Sequence, residues 1–234
     1  MARARSIRAA LAVGALALAA LAIGLVGVAR AGDGGTVGGA VTVLKRGAFS
    51  ESPKGDNSNI AVVIEGVPGK HGRATHPPRS MRQEELRFEP GILVVQKGAA
   101  IDFPNKDRVD HNVFSLSNTK YFDLELYKAG TSKTVTFDRA GVVDVFCNIH
   151  PQMAARVIVA DGPYYAMTDK AGKFEIKDVP PGTWDIVAWP ARGEPWRGRV
   201  TVKPGHNAMD IKVIEDGKPP EHSRKDGTPY GRYQ

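Results

Sequence analysis

The single cysteine of the chain lies in a short stretch that combines three kinds of metal-binding side chain. Residues 147–153 read CNIHPQM, so Cys147, His150 and Met153 are each separated by two residues. The stretch follows an apolar alternating run and must turn tightly, which allows a thiolate, an imidazole and a thioether to converge on one point. Soft sulfur ligands together with imidazole select copper. Two histidines, one cysteine and a weak axial methionine are the ligands of a type 1 copper site.

Such a site needs a second histidine from another part of the chain. His111 is the best candidate, because it precedes the apolar pair Val113-Phe114 and is expected on a neighbouring strand. A lone cysteine is usually a small buried hydrophobic residue, but the three residue types at this spacing favour a metal site. We interpret His71 and His76 as incidental members of a basic loop.

The elements that must position these residues are predicted to be β-strands almost throughout. Alternation of apolar and polar residues, or short apolar runs between turn signals, indicates strands. In the first half they cover residues 92–96, 100–103, 134–138, 141–147 and 156–160. A second β unit follows, with strands around 173–177, 184–188, 200–202 and 209–213. Short strands at this spacing predict an all-β sandwich or barrel. The polar residues 215–234 are expected to form a flexible tail.

The N-terminus has the pattern of an export signal. Arg3, Arg5 and Arg8 precede an uncharged apolar run over 9–29, and Ala29-Arg30-Ala31 is an A-x-A cleavage site. We therefore predict a signal peptide over 1–31, cleaved after Ala31, and a periplasmic protein; an uncleaved N-terminal membrane anchor is the alternative.

Charge and cysteine content narrow the classes of function. The net charge of +7 includes four arginines in the first 31 residues, and the +3 that remains argues against a nucleic-acid partner. One cysteine excludes an internal disulfide, and a free thiol in an oxidising compartment must be buried or bound. Hydrolytic signatures and phosphate-binding glycine loops are absent from the sequence.

The segment Arg87 to Asp161 resembles the cupredoxins. The resemblance is carried by residues 88–98 (FEPGILVVQKG), 102–107 (DFPNKD), His111-Asn112-Val113 and the loop 147–153, whose ligand spacing is that of amicyanin. The whole chain is similar to periplasmic plastocyanin-like proteins labelled methylamine-utilisation proteins. The resemblance implies a Greek-key sandwich, one type 1 copper ion and electron transfer.

The same resemblance implies roles for individual residues. His111, Cys147 and His150 would be the equatorial ligands and Met153 the axial one. Asn112 would aim its backbone N–H at the Cys147 sulfur, and its side chain would tie the two ligand loops together. Phe146 and Pro151 would shield the metal from water.

A second resemblance concerns the C-terminal half. Residues 168–176 (TDKAGKFEI) and 179–184 (VPPGTW) look like the carboxypeptidase regulatory-like, transthyretin-like β domain, which implies a small β sandwich without chemistry. We interpret strands in 32–66 as its missing start. The predicted order is then a cupredoxin domain over 67–162, the carboxypeptidase regulatory-like domain over 163–214 and the tail over 215–234. In this hypothesis the cupredoxin is inserted into the transthyretin-like domain.

Three functions are compatible with the sequence. The first is a one-electron carrier; a copper enzyme is disfavoured because Met153 fills the position that a substrate would need. The second is a copper-binding chaperone or storage protein. The third is a non-metal β-sandwich binding module in which Cys147 is simply buried. A redox partner such as a c-type cytochrome or a dehydrogenase is implied by the resemblance alone.

Overall fold

The described part of the chain consists of β-strands joined by turns. A computed structural model describes residues 34–47, 50–69, 71–72, 78–216 and 222–230. Within these residues there is no helix, and hence none that is long and apolar enough to cross a membrane. The predicted signal peptide lies outside them. The strands are β1 Gly35–Arg46, β2 Glu51–Pro53, β3 Ala61–Glu65, β4 Arg79–Ser80, β5 Arg82–Glu84, β6 Arg87–Glu89, β7 Ile92–Gln96, β8 Ala100–Pro104, β9 His111–Ser117, β10 Lys120–Tyr127, β11 Ser132–Thr136, β12 Gly141–Phe146, β13 Ala154–Ala160, β14 Tyr165–Met167, β15 Lys173–Val179, β16 Gly182–Trp189, β17 Trp196–Val202, β18 Gly205–Ala208 and β19 Ile211–Glu215.

The first strands of the chain pair with the last ones. β1 is antiparallel to β15 and β2 and parallel to β18 and β19. β3 lies between β14 and β16 in a second sheet, which β17 completes. Alternation along β1 buries Val37, Val41 and Val43 in a core that also contains Ile186 and Ile211. These two sheets, called the first sandwich below, are thus built from strands before residue 66 and after residue 164, and the central segment, which runs from β4 to β13, lies between them in the sequence.

The central segment forms the second β sandwich. One sheet has the order β10-β9-β12-β13-β7 and the other has the order β11-β8-β4. Val143, Val145 and Cys147, which the sequence places on one strand face, are all fully buried in the core between these sheets, together with Phe103 and Phe137. The described fold is thus all-β, as predicted from the alternation.

The two sandwiches share a third apolar cluster. It joins Ala61 and Val63 of β3 to residues of β7 and β13, among them Ile92, Val94 and Ile158. β7 and β13 run parallel to each other, and they are covered on both faces. This explains why their sequences are continuous apolar runs instead of alternating ones.

Candidate metal centre

The predicted ligand loop lies at one end of the central sandwich. Phe146, the last residue of β12, pairs with Phe114 of β9 on one side and with Ala154, the first residue of β13, on the other. Residues 147–153 connect β12 to β13. Two backbone hydrogen bonds close the loop, from Cys147 N–H to the Met153 carbonyl (3.2 Å) and from Met153 N–H to the His150 carbonyl (3.0 Å). His111 begins β9, the neighbour of β12.

Three ligand atoms converge at this end of the sandwich. The Nδ1 atoms of His111 and His150 are 3.1 Å apart, and Cys147 Sγ lies 3.9 Å from the first and 3.7 Å from the second. A point equidistant from the corners of a triangle with these sides lies about 2.1 Å from each atom. That distance is comparable with the roughly 2.0–2.3 Å of zinc bonds to histidine nitrogen and cysteine sulfur. The three atoms therefore leave room for one metal ion.

Burial differs among the four predicted ligands. His111, Cys147 and Met153 are fully buried, and Met153 belongs to the same core cluster as Cys147. His150 is half-buried. Next to it, Ile149 is 38% exposed. The centre is therefore closed by the core on one side and approaches the surface at His150.

A carboxylate fixes the orientation of His111. Asp107 Oδ2 lies 2.7 Å from His111 Nε2, and the backbone N–H groups of Glu85 and Leu86 donate to the same carboxylate at 2.7 and 3.1 Å. Burial disfavours its charge, but these hydrogen bonds outweigh burial and lower the pKa of Asp107. With Nε2 bound to Asp107, Nδ1 is the nitrogen of His111 that faces Cys147. The sequence prediction missed Asp107, although an acidic residue four positions before a candidate ligand was a usable signal.

The environment stabilises the thiolate. Burial works against ionisation of Cys147, but a hydrogen bond from His111 and backbone N–H groups of Ile149, His150 and Asn112 outweigh it and lower the pKa of the thiol. Burial likewise opposes the charge on His111, yet its bonds to Cys147 and Asp107 raise its pKa. Burial and the neighbouring His111 lower the pKa of His150. A thiolate and a neutral His150 are the forms that bind a metal.

Asn112 is placed partly as the sequence predicts. Its backbone N–H helps to lower the pKa of the Cys147 thiol. Its side chain, however, donates to Asp123 of β10 at 2.6 Å instead of bonding directly to the ligand loop. The side chain therefore ties the His111 strand to β10.

The two predicted shielding residues lie at the rim of the loop. The ring of Phe146 stacks on His222, with centroids 4.1 Å apart and planes inclined by 15°. Phe146 is outside the core cluster that contains Cys147, because successive residues of β12 face opposite sides of the sheet. Pro151 is half-buried.

Residues 222–230, called the C-terminal segment below, pack on the ligand loop. The Tyr230 hydroxyl donates to the Cys147 carbonyl at 2.6 Å, and the Lys225 backbone N–H donates to Asn148 Oδ1 at 2.8 Å. A flexible tail, which the sequence predicts over 215–234, would not make these contacts. The sequence analysis assigned no role to Lys225 or Tyr230.

His71 and one of the tryptophans take structural positions. His71 Nε2 lies 3.1 Å from the Val67 carbonyl, and its ring meets Tyr164 edge-on; His76 lies outside the described residues. Trp184 donates to the Pro180 carbonyl and packs against the core of the first sandwich. Among the described residues, the trio His111, Cys147 and His150 is the group whose ligand atoms are close enough to hold a metal ion.

Comparison with known proteins found one matching family and several similar solved structures. Residues 78–160 match the model of the family described as copper binding proteins, plastocyanin/azurin family. A reduced amicyanin variant is 20% identical, with 42% of this chain and 97% of that chain covered and a TM-score of 0.34. A purple cupredoxin from Nitrosopumilus maritimus is 22% identical, with 35% of this chain and 99% of that chain covered and a TM-score of 0.32. A Cu-containing nitrite reductase from Thermus scotoductus SA-01 is 21% identical, with 40% of this chain and 25% of that chain covered and a TM-score of 0.34. No curated protein matches the chain.

Residues 78–160 are thus similar to copper binding proteins of the plastocyanin/azurin family. The donor set fits that metal, since a thiolate and two imidazoles converge with a methionine in the same loop. Copper is accordingly the cofactor of this domain, and the match extends over 78–160 where the sequence predicted a cupredoxin domain over 67–162.

Proposed function

We propose that the chain is a type 1 copper protein that carries single electrons between redox partners. In this proposal His111 Nδ1, His150 Nδ1, Cys147 Sγ and Met153 would hold the ion. The observation that carries the proposal is the convergence of the three ligand atoms within 3.1–3.9 Å of one another. Bound copper supplies one-electron chemistry, by cycling between Cu(I) and Cu(II).

The protein's own contribution is to hold the ligands in one arrangement. Asp107 fixes the orientation of His111, and the backbone bonds from Cys147 to Met153 and from Met153 to His150 hold the ligand loop closed. Because His111, Cys147 and Met153 are fully buried in a packed core, large side-chain movements are resisted in either oxidation state. Little movement of ligands means a small reorganisation energy and fast electron transfer.

The exposed edge of the centre is the proposed site of electron exchange. His150 is half-buried, and the neighbouring Ile149 and Gln152 are exposed. A redox protein that docked there would come close to the His150 ring. Such encounters use small interfaces and are short-lived. We propose a c-type cytochrome or a dehydrogenase as partner, which the resemblance to cupredoxins supports.

The compartment and the second β unit complete the proposal. The N-terminal arginines, apolar run and A-x-A site support export to the periplasm. The pairing of β1 and β3 with strands after residue 160 supports a transthyretin-like domain into which the copper domain is inserted. We assign this domain a structural role and the chain no enzymatic activity.

Voltammetry of the copper-loaded mature protein, combined with chelator challenge, tests the carrier against the other candidates. A carrier gives a reversible one-electron wave and keeps its copper in both oxidation states. A chaperone or storage protein binds copper but loses it quickly to the chelator. A protein that does not bind copper at all would be a binding module with a buried Cys147.

A further inference from the structure

The C-terminal segment contacts three consecutive residues, which are Phe146 at the end of β12 and Cys147 and Asn148 of the ligand loop. His222 stacks on Phe146, Tyr230 donates to the carbonyl of Cys147, and Lys225 donates its backbone N–H to the side chain of Asn148. The Cys147 N–H is bonded to Met153, so both peptide groups of the cysteine are held. The contacts thus concentrate on the residue that supplies the thiolate.

The same segment also supports the strand that carries His111. Lys225 Nζ lies 2.5 Å from Asp123 Oδ2 and 2.9 Å from Glu125 Oε2. Asp123 Oδ1 in turn accepts the 2.6 Å bond from Asn112, the neighbour of His111. Lys225 therefore connects the β9–β10 hairpin to Asn148, through its side chain on one side and its backbone on the other.

Aromatic contacts hold the segment itself together. The rings of His222 and Tyr230 meet edge-on at 5.1 Å, and the Arg224 guanidinium lies 5.7 Å from the centre of the Tyr230 ring. The Arg224 N–H donates to the Thr228 carbonyl and the Gly227 N–H to the Arg224 carbonyl, which closes a turn between the two rings. The segment is thus a compact hairpin-like piece, with its aromatic ends at Phe146 and Cys147.

We propose that the C-terminal segment is a clamp that forms part of the copper centre, in which Tyr230 and Lys225 are positioning residues for Cys147. This inference rests on the proposed copper function. The clamp would restrain the ligand loop, hold Cys147 in its place and retard loss of a bound metal. Neighbours that orient metal ligands are typically worth about 10- to 100-fold in metal affinity.

Two conservative variants of the full chain separate this role from general stability. Tyr230→Phe removes the hydroxyl and keeps the ring, and Lys225→Met removes the ammonium group and keeps the backbone N–H. The matched controls are Tyr121→Phe, at a tyrosine that is 70% exposed, and Lys173→Met, at an exposed lysine of β15. Thermal unfolding verifies that all four variants are folded.

The metal-free protein provides the first measurement, which is the rate of Cys147 alkylation by iodoacetamide. Cys147 is fully buried, so alkylation requires the ligand loop to open. Both clamp variants are expected to react about five times faster, the factor that corresponds to one ordinary hydrogen bond. Both controls are expected to react at the wild-type rate. Equal rates in all five proteins would overturn the proposal.

The copper-loaded protein provides the second measurement, which is copper release to a chelator together with the EPR spectrum. The clamp variants are expected to release copper about tenfold faster and to show a wider copper hyperfine splitting. Wild-type release rates and spectra in both variants would overturn the clamp while leaving the copper site intact. A wild-type protein that has no thiolate-to-copper band would instead overturn the proposed function, and the alkylation rates would still decide whether the clamp exists.

Discussion

His111 Nε2 lies 2.7 Å from Asp107 Oδ2, while the Nδ1 atom of the same ring faces His150 and Cys147. One carboxylate therefore decides which imidazole nitrogen is free to bind a metal. Because Asp107 is itself held by two backbone N–H groups, the orientation of His111 is set before any ion binds.

Removal of this carboxylate should weaken copper binding. Asp107→Ala is expected to lower copper affinity by about 10- to 100-fold, and Asp107→Asn by less, because its amide oxygen can still accept from His111 Nε2–H. Competition titration against a chelator of known affinity measures the loss. The control is Asp110→Ala, at an exposed carboxylate close by in sequence. Equal affinities for Asp107→Ala and the control would contradict the assigned role.

Replacement of Met153 should change the potential more than the fold. Met153→Leu keeps an apolar side chain of similar volume in a fully buried position, so the free energy of unfolding should fall by less than about 1.5 kcal/mol. Loss of the thioether removes a donor that stabilises Cu(II), so the reduction potential should rise while the thiolate-to-copper band remains. Voltammetry and absorption spectra check both points. An unchanged potential would show that Met153 is not a ligand.

A buried polar network supports the β8 and β10 strands beneath the site. The Tyr127 hydroxyl donates to the Phe103 carbonyl at 2.8 Å and accepts from Gln83 Nε2 at 2.5 Å. Tyr127→Phe removes both bonds in a buried environment, so it should lower the free energy of unfolding by about 1–3 kcal/mol. Urea denaturation measures the loss. Tyr121→Phe is the matched control, and an equal result for the two variants would contradict the assigned network.

Acid should weaken the contact between the C-terminal segment and β10. Burial opposes the charge on Asp123, but its bonds to Lys225 and Asn112 outweigh burial and lower its pKa. A carboxyl whose pKa is lowered by folding stabilises the protein above its unfolded value of about 3.9. That contribution is lost as the pH falls through the lower folded value.

Melting temperatures measured from pH 6 down to pH 2.5 test this dependence. Asp123→Asn lacks the titrating group, so its melting temperature should be lower than that of the wild type at pH 6, and the difference should shrink below about pH 4. Asp110→Asn serves as the control. A constant difference between Asp123→Asn and the wild type across the range would contradict the contribution of Asp123.

The sequence predicted the parts of the site that depend on local spacing. Cys147, His150 and Met153 lie within one loop, so their proximity follows from the chain itself. His111 was expected on a neighbouring strand because it precedes the apolar pair Val113-Phe114, and β9 does begin at His111. The all-β fold followed from the same periodicity.

The contacts of the C-terminal segment could not be predicted in this way. Lys225 meets Asn148 and Asp123 across 77 and 102 residues of sequence. A polar segment rich in Pro and Gly has no periodicity that would reveal a packing face. Asp107 could have been predicted in part. Its position four residues before His111 was informative, but the orientation of its carboxylate depends on the backbone N–H groups of Glu85 and Leu86, which are distant in sequence.

The absorption and EPR spectra of the Cu(II)-loaded mature protein, recorded beside Cys147→Ala, test the central claim most directly. Binding of copper by Cys147, His111, His150 and Met153 predicts an intense thiolate-to-copper band and a narrow copper hyperfine splitting, both lost in the variant. His206→Ala, at an exposed histidine of β18, should keep both features. A colourless protein, or a weak Cu(II) spectrum that Cys147→Ala leaves unchanged, would contradict the account.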